Sequence, residues 1–509
     1  MAPYFIHFQH KWKSMRVPEL DAVAQLFGIE VGYDKAALEA LALDHKGIIG
    51  EQGMRHEAEM RETSSLLVDL RSDEDAAKLA SRLILVDSIS ELWGHGVTWE
   101  ETLAMCMRSK AALIEPHIRE GRTFRVRVEA LGVTYKTEDQ VALIQERLGG
   151  LDLKGKVRLT DPDNSIIVLM DFPIGTKAGP ATPPRHIYIG RRVAKAPGLK
   201  FADKYRLPHR CFLGPTSLDH QLSMIIANQA HARPGALVLD PFCGTASILV
   251  GCAAYGAHVL GADLDGRMLV GKGAGKTIAD NFKQYGLGAP IGLQRADFAA
   301  ASDCWRMLPF LDAIVCDPPY GVRASSKKLV AGASDQMQSR PDIETYTPQR
   351  ERLDINPLLE RLLEYAASRL VLGGRLVFLL PTTTDMRGSG APEHPALRLC
   401  AESEQPISTR WCRRLVTMEK VRENEEGMRV SFDRREASIF DTAKLGKDNP
   451  HLKSKRWQKA ELDRHAEHAP DDDANSPTWG ATRTLALVGA VLASAVALLA
   501  LRALLRRRS

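Results

Sequence analysis

Residues 236–250 read ALVLDPFCGTASILV. A short apolar run ends in an acid, turns through a glycine and opens into a second apolar stretch. Runs of this kind are expected of parallel strands buried on both faces, where no alternation of polar and apolar residues is needed. The same grammar recurs in HVLGADLD (258–265), GLQRADF (292–298), DAIVCD (312–317) and RLVFLLP (375–381), with helical stretches between them. Strand and helix in alternation predict a doubly wound α/β domain over about 205–440.

Upstream the grammar is different. FIHFQH and SSLLVDL read as strands, VPELDAVAQLFGIE and DEDAAKLASRLIL as amphipathic helices. TFRVRVEAL alternates, with Arg125 and Arg127 on one face. The first 160 residues or so are therefore α+β, and FPIGTKAGPATPPR (172–185) reads as a linker or long loop. Downstream, residues 441–480 are polar, charged and proline-containing, the composition of a disordered tether. Thr484 to Leu501 carry no charge, and Arg502, Arg506, Arg507 and Arg508 follow. A helix of that length spans roughly 27 Å, near the lower limit for crossing a bilayer. The run predicts a single C-terminal membrane helix within 481–505, a tail anchor facing the cytosol; an Ala-rich buried helix is the other reading.

With 509 residues the chain is too long for one ordinary core. A net charge of +5 permits a nucleic-acid partner without requiring one. None of the eight cysteines forms a C-x-x-C pair, so no metal site is expected. The N-terminus, MAPYFIHFQHKWK, lacks the apolar core and cleavage pattern of a secretion signal, which points to the cytoplasm and reduced thiols.

In an open parallel sheet, ligands sit beyond the carboxyl ends of the strands. Asp240 stands at such an end, followed by Phe242 and by Gly244, which allows a tight turn and a close approach. Thr245 and Ser247 are placed to cap the next helix. Asp263 and Asp265, about 20 residues on, suit ribose hydroxyls. Asp297 and Phe298 suit the amine and the face of adenine. Neither G-x-x-x-x-G-K-[ST] nor G-x-G-x-x-G occurs in this loop, so a phosphate binder is not indicated. Three acidic strand ends in succession fit a nucleoside without phosphates, such as S-adenosylmethionine.

Asp317-Pro318-Pro319-Tyr320 follow the fourth buried run. The lone pair of an exocyclic amine on a base is conjugated into the ring, which makes it a poor nucleophile. Acceptors aimed at its N–H bonds stabilise the charge that develops on methyl transfer. The Asp317 carboxylate and the Pro318 carbonyl are such acceptors, and two prolines without N–H and with fixed φ hold them rigid. Tyr320 offers a face for base stacking. The tetrapeptide by itself does not separate guanine from adenine or cytosine, or from a protein glutamine. A non-catalytic RNA-binding or membrane-tethering protein with a decayed site is the reading from another class.

At these motifs the chain resembles the catalytic subunits of the eukaryotic tRNA (guanine-10-N2)-methyltransferases. The resemblance runs through SISELWGHG (88–96), IYIGRRVA (187–194), FLGPTSLDHQLSMIIANQA (212–230), LVLDPFCGTASILV (237–250), GADLD (261–265), NFKQYGL (281–287), DAIVCDPPYGVRA (312–324) and RRLVTMEK (413–420). It implies a THUMP-containing RNA-binding region over 1–185 and a Rossmann-like class I methyltransferase domain over 186–440 with a mixed seven-stranded sheet. S-adenosylmethionine would be the donor, tRNA the substrate and a small zinc-binding activator protein the partner. Carried over by position, Thr216, Ser217, Asp240, Gly244, Asp263 and Asp297 would contact the cofactor, with Asp317 to Tyr320 on the guanine. One departure is Ala246, where the family loop usually has a second glycine. The apolar tail is another. Arg122, Arg125, Arg127, Lys154, Lys156 and Arg158 are either phosphate contacts or a solvated basic face. Trp93 and His95 read as packing residues.

Overall fold

The structure is a computed structural model that describes residues 1–33, 65–131, 133–172, 183–214, 217–298, 308–319, 327–329, 350–352, 355–383, 391–407 and 411–431. The polar stretch 441–480 and the apolar run 484–501 lie outside them. Among the described residues, no helix is long and apolar enough to cross a membrane.

The N-terminal region is a seven-stranded sheet built from β1 (Ala2–Phe8), β2 (Ser65–Leu70), β3 (Val86–Gly96), β4 (Thr123–Leu131), β5 (Lys156–Val157), β6 (Asn164–Asp171) and β7 (His186–Lys195). The strand order is β2-β1-β3-β7-β6-β4-β5. Alternation decides the faces. Tyr4, Ile6 and Phe8 of β1 pack with Leu66, Val68 and Leu70 against Leu20 and Val23 of the helix Arg16–Phe27 and Leu79 of the helix Asp73–Ala80. Phe5, one residue out of phase, packs on the other face with Leu92, Ile167, Leu169 and Tyr188. Ser72 and Thr98 cap the helices Asp73–Ala80 and Trp99–Ser109 by accepting from the backbone N–H three residues on.

Three strands separate β1 from β4, which in a flat sheet would set them about 19 Å apart. Yet His7 of β1 lies 3.7 Å from Glu129 of β4. The sheet is coiled strongly enough to bring the two together. The glycines of the 88–96 segment have a packing reason. A Cβ on Gly94 would stand 2.4 Å from the Thr102 carbonyl and 2.6 Å from the Cys106 sulfur, so only glycine lets the helix Trp99–Ser109 lie this close to β3. Trp93 is fully buried and donates from Nε1 to Glu91, a packing role as expected.

The strand β7 pairs with β3 and β6, which places His186–Lys195 in this first sheet. The expected boundary at residues 185/186 therefore falls before the last strand of the N-terminal region, and moves past Lys195. The sequence marks IYIGRRVA as a motif without assigning it to a sheet, since a strand's period reveals its faces but not its neighbours.

The second sheet contains β8 (Leu237–Asp240), β9 (His258–Asp263), β10 (Gly292–Arg295), β11 (Leu311–Cys316), β14 (Leu370–Thr383), β15 (Leu397–Pro406) and β16 (Trp411–Lys420). Two short strands, β12 (Lys327–Leu329) and β13 (Arg350–Arg352), form an antiparallel pair of their own. The order is β10-β9-β8-β11-β14-β16-β15; the first five are parallel, and β16 runs antiparallel to both neighbours. The helices His220–Gln229, Ser247–Ala254 and Ile278–Gln284 cover one face and Ile355–Arg369 the other. The alternation of strand and helix predicted the doubly wound arrangement, and the mixed seven-stranded sheet is the one the resemblance implied.

The two sheets share a core. Met15, Ile84 and Leu85 of the N-terminal region pack in the same apolar cluster as Leu222, Ile225 and Ile226 of the helix His220–Gln229. A buried polar group sits beside it. Glu19 accepts from the backbone N–H of Ile84 and Leu85, and Arg82 donates to Asn228 at 2.9 Å while lying 4.0 Å from the centroid of the Tyr255 ring.

Candidate active site

The loop after β8 is wound by its own acids. Asp240 is 2% exposed and its Oδ1 accepts from the Phe242 N–H at 2.9 Å. The Cys243 N–H bonds to the Ala262 carbonyl of β9 at 2.8 Å. Asp263 accepts from the N–H of Gly244 through Oδ2 and of Asp265 through Oδ1, both at 2.8 Å. Asp263 thus holds two loops together. Gly244 has φ 53°, and nothing lies within 4 Å of where its Cβ would be. The chain there borders open space, as close approach of a ligand requires.

The expected caps are absent. The helix Ser247–Ala254 begins after Ala246, whose φ is 63° and which makes no side-chain cap. Thr245 Oγ1 instead bonds Ser217 Oγ at 2.9 Å, and Ser247 Oγ accepts from Arg210 Nη1, also at 2.9 Å. The segment around Ser217 is thereby docked on the loop; Thr216 lies outside the described residues. Ala246 occupies a left-handed conformation that costs an L-residue about 1–2 kcal/mol. This backbone angle, more than the room for a methyl group, accounts for a glycine being the easier residue here.

Of the remaining acids, Asp265 caps the helix Gly266–Val270 and pairs with Arg267 at 2.6 Å, so its carboxylate serves its own helix. Asp297 is buried past the end of β10. Phe242 and Phe298 meet edge to face at 5.0 Å, and Phe298 meets Tyr365 in the same way at 5.2 Å. The two phenylalanines that the sequence singles out thus form one aromatic wall.

Asp317 directly follows β11, with Pro318 and Pro319 after it; Tyr320 lies outside the described residues. Burial pushes the Asp240 carboxyl well above the ordinary range; the bond from Phe242 opposes this, and the charges of Asp263 and Asp317 add to it. The charges of Asp263 and Asp317 at neighbouring strand ends suit a cationic ligand better than a phosphate. Arg413 of β16 bonds Asp317 Oδ2 through Nη1 at 3.2 Å. Arg413 opens the segment RRLVTMEK, but the sequence gives it no role, and nothing local ties it to Asp317, because β14 lies between its strand and β11.

Among the described residues, the group with donors close enough for a metal ion is His7, Asp87 and Glu129, in the first sheet. Burial works against charge on Glu129, but His7 and Arg192 outweigh it and hold the carboxyl at about 2. Ion pairing accounts for this group.

Residues 32–197 match the family described as Tmrp11 THUMP N-terminal domain, and residues 208–338 match the RMKL-like methyltransferase domain. The tRNA (guanine(10)-N(2))-methyltransferase TRMT11 of Dictyostelium discoideum is 31% identical over 480 residues, 90% of each chain. That of Homo sapiens is 32% identical over 70% of this chain and 80% of its own. The enzyme of Saccharomyces cerevisiae is 33% identical over 69% and 82%. Among solved structures, TrmN from Thermus thermophilus overlaps 82% of this chain and 100% of its own at 18% identity and a TM-score of 0.36. The chain belongs to the tRNA (guanine(10)-N(2))-methyltransferase family.

Proposed function

We infer that this chain transfers a methyl group from S-adenosylmethionine to the exocyclic N2 of a guanosine in tRNA. The observation that carries the mechanism is the Asp317 carboxylate, set at the end of β11 beside two further acidic strand ends and bonded by Arg413. The residues suit the cofactor: open space beside Gly244, the charges of Asp263 and Asp317 for a sulfonium, and the Phe242–Phe298 wall for an adenine. S-adenosylmethionine supplies an electrophilic methyl carbon whose bond to sulfur breaks as the bond to N2 forms.

The chain's own part is positioning and charge. Asp317 and the Pro318 carbonyl accept from the amine N–H bonds and stabilise the positive charge that N2 acquires. Once methylated, N2 gives its proton to water, and no strong base is needed. Tyr320 stacks on the base. Asp240, Gly244, Asp263, Asp297 and the Thr216-Ser217 segment line the cofactor site, with Phe242 and Phe298; Asp265 acts through its helix cap. The test is Asp317→Ala, which should abolish methyl transfer while tRNA binding persists. Full activity in that variant would sink the mechanism.

Three finer readings belong with this one. The N-terminal region, extended to include β7, grips the tRNA, and the α/β domain carries the reaction. A small zinc-binding activator subunit is the expected partner, to be sought by co-purification. The apolar run 484–501 is read as a tail anchor on an otherwise cytoplasmic enzyme; a fusion of residues 480–509 to a fluorescent protein should mark a membrane, and diffuse signal would end that idea.

A further inference from the structure

Asp317 sits in a loop, and a loop carboxylate by itself samples several rotamers. For an acceptor that must meet an amine in line with a methyl group, an error of about 1 Å costs on the order of 100-fold in rate. Arg413 supplies the constraint. Its Nη1 donates to Asp317 Oδ2 at 3.2 Å, while Nε and Nη2 both donate to the side-chain oxygen of Gln405, at 3.1 and 2.8 Å. Gln405 and Arg413 lie on the neighbouring strands β15 and β16 and are register partners, and Arg413 is opposite Pro381 of β14. The guanidinium therefore reaches from β16 across β14 to the end of β11, about 10 Å of sheet. Its side chain is 14% exposed, so the bond is shielded from water.

We propose that Arg413, clamped by Gln405, is a positioning residue that fixes the Asp317 carboxylate against the amine. A planar fork serves two directions at once; an ammonium has the charge without the fork. Each carboxylate oxygen offers two lone pairs, so a single bond from Arg413 does not exhaust what the Asp317 carboxylate can accept. This rests on the assignment of Asp317 made above.

The test uses the full-length protein, with kcat and KM for tRNA and the affinity for S-adenosylmethionine measured separately. Arg413→Met should lower kcat by about 100-fold, with cofactor affinity and the KM for tRNA within about twofold of the parent and an unchanged melting temperature. Arg413→Lys should recover part of the loss. Gln405→Leu should show a smaller fall in kcat alone. Guanidinium ion at millimolar concentration should restore part of the activity of Arg413→Ala, which a purely structural defect would not allow. Parental kcat in Arg413→Met with Asp317→Ala inactive would overturn this inference and leave the role of Asp317 standing. Loss of cofactor affinity in step with kcat, without rescue by guanidinium, would also overturn it. Parental activity in Asp317→Ala would remove the assignment on which it rests.

Discussion

Glu19 accepts a hydrogen bond from the side-chain amide of Asn228 at 2.6 Å, across the junction between the N-terminal sheet and the catalytic sheet. The carboxylate has no exposed surface. It also takes the backbone N–H groups of Ile84 and Leu85, at 3.0 and 2.9 Å. The helix His220–Gln229 that carries Asn228 begins just after Ser217, the residue bonded to the cofactor loop. This buried acid therefore joins the apolar cluster and Arg82 in tying the N-terminal region to the helix beside the cofactor loop.

That acid makes stability depend on pH. Burial lifts the Glu19 carboxyl from its ordinary 4.5 to about 7, against the pull of its hydrogen bonds and of Arg82. The folded state thus binds the proton more tightly than the unfolded one. The stabilisation is fully present below about pH 4.5 and is lost as the pH rises through about 7. Between about pH 4.5 and 7 its slope approaches about 1.4 kcal/mol per pH unit and then fades. Melting temperatures across that range should fall more steeply in the parent than in Glu19→Gln, which cannot titrate. Parallel curves would refute the assignment.

Ala246 stands at φ 63° at the head of the helix Ser247–Ala254. Glycine adopts this angle without the steric penalty, although it loses more entropy on folding. Ala246→Gly should therefore stabilise the protein by about 0.5–1 kcal/mol, measured by urea unfolding. Destabilisation would mean that the loop does not hold this conformation.

Gly94 faces the opposite constraint. The Thr102 carbonyl stands 2.4 Å from the position a methyl group would take, so Gly94→Ala must displace the helix Trp99–Ser109. A loss of about 1–3 kcal/mol is expected, read by the same unfolding experiment. A neutral result would show that the helix can retreat from β3 without cost.

Arg125 and Arg127 share a face of β4, and burial together with Arg127 and Arg192 lowers the affinity of Arg125 for its proton. A positive field concentrated there suits RNA phosphates. Arg127→Ala should weaken tRNA binding and reduce the slope of log K against log salt by about 1, without changing affinity for S-adenosylmethionine. An unchanged slope would assign Arg127 to a solvated face.

Much of the catalytic half is legible in the chain. Buried parallel strands need apolar residues on both faces, so β8, β9, β11 and β14 stand out as continuous runs, and a ligand site at their carboxyl ends follows from the topology. The caps expected of Thr245 and Ser247 do not form, because their hydroxyls bond to Ser217 and Arg210, partners 28 and 37 residues away. The strand β7 is visible as a motif but falls on the wrong side of the expected boundary, because its ladder partners are distant in sequence.

By itself the sequence determined the class of fold and the acidic strand ends at which the proposed site, with Asp317-Pro318-Pro319-Tyr320, is read, since these depend on local period and residue type. Tertiary structure alone decided that Arg413 meets Asp317, 96 residues earlier, that Glu19 joins the two sheets, and that His7 meets Glu129 inside a coiled sheet. Hydrogen-bond ladders and sheet coiling bring together side chains whose separation along the chain carries no trace of the contact.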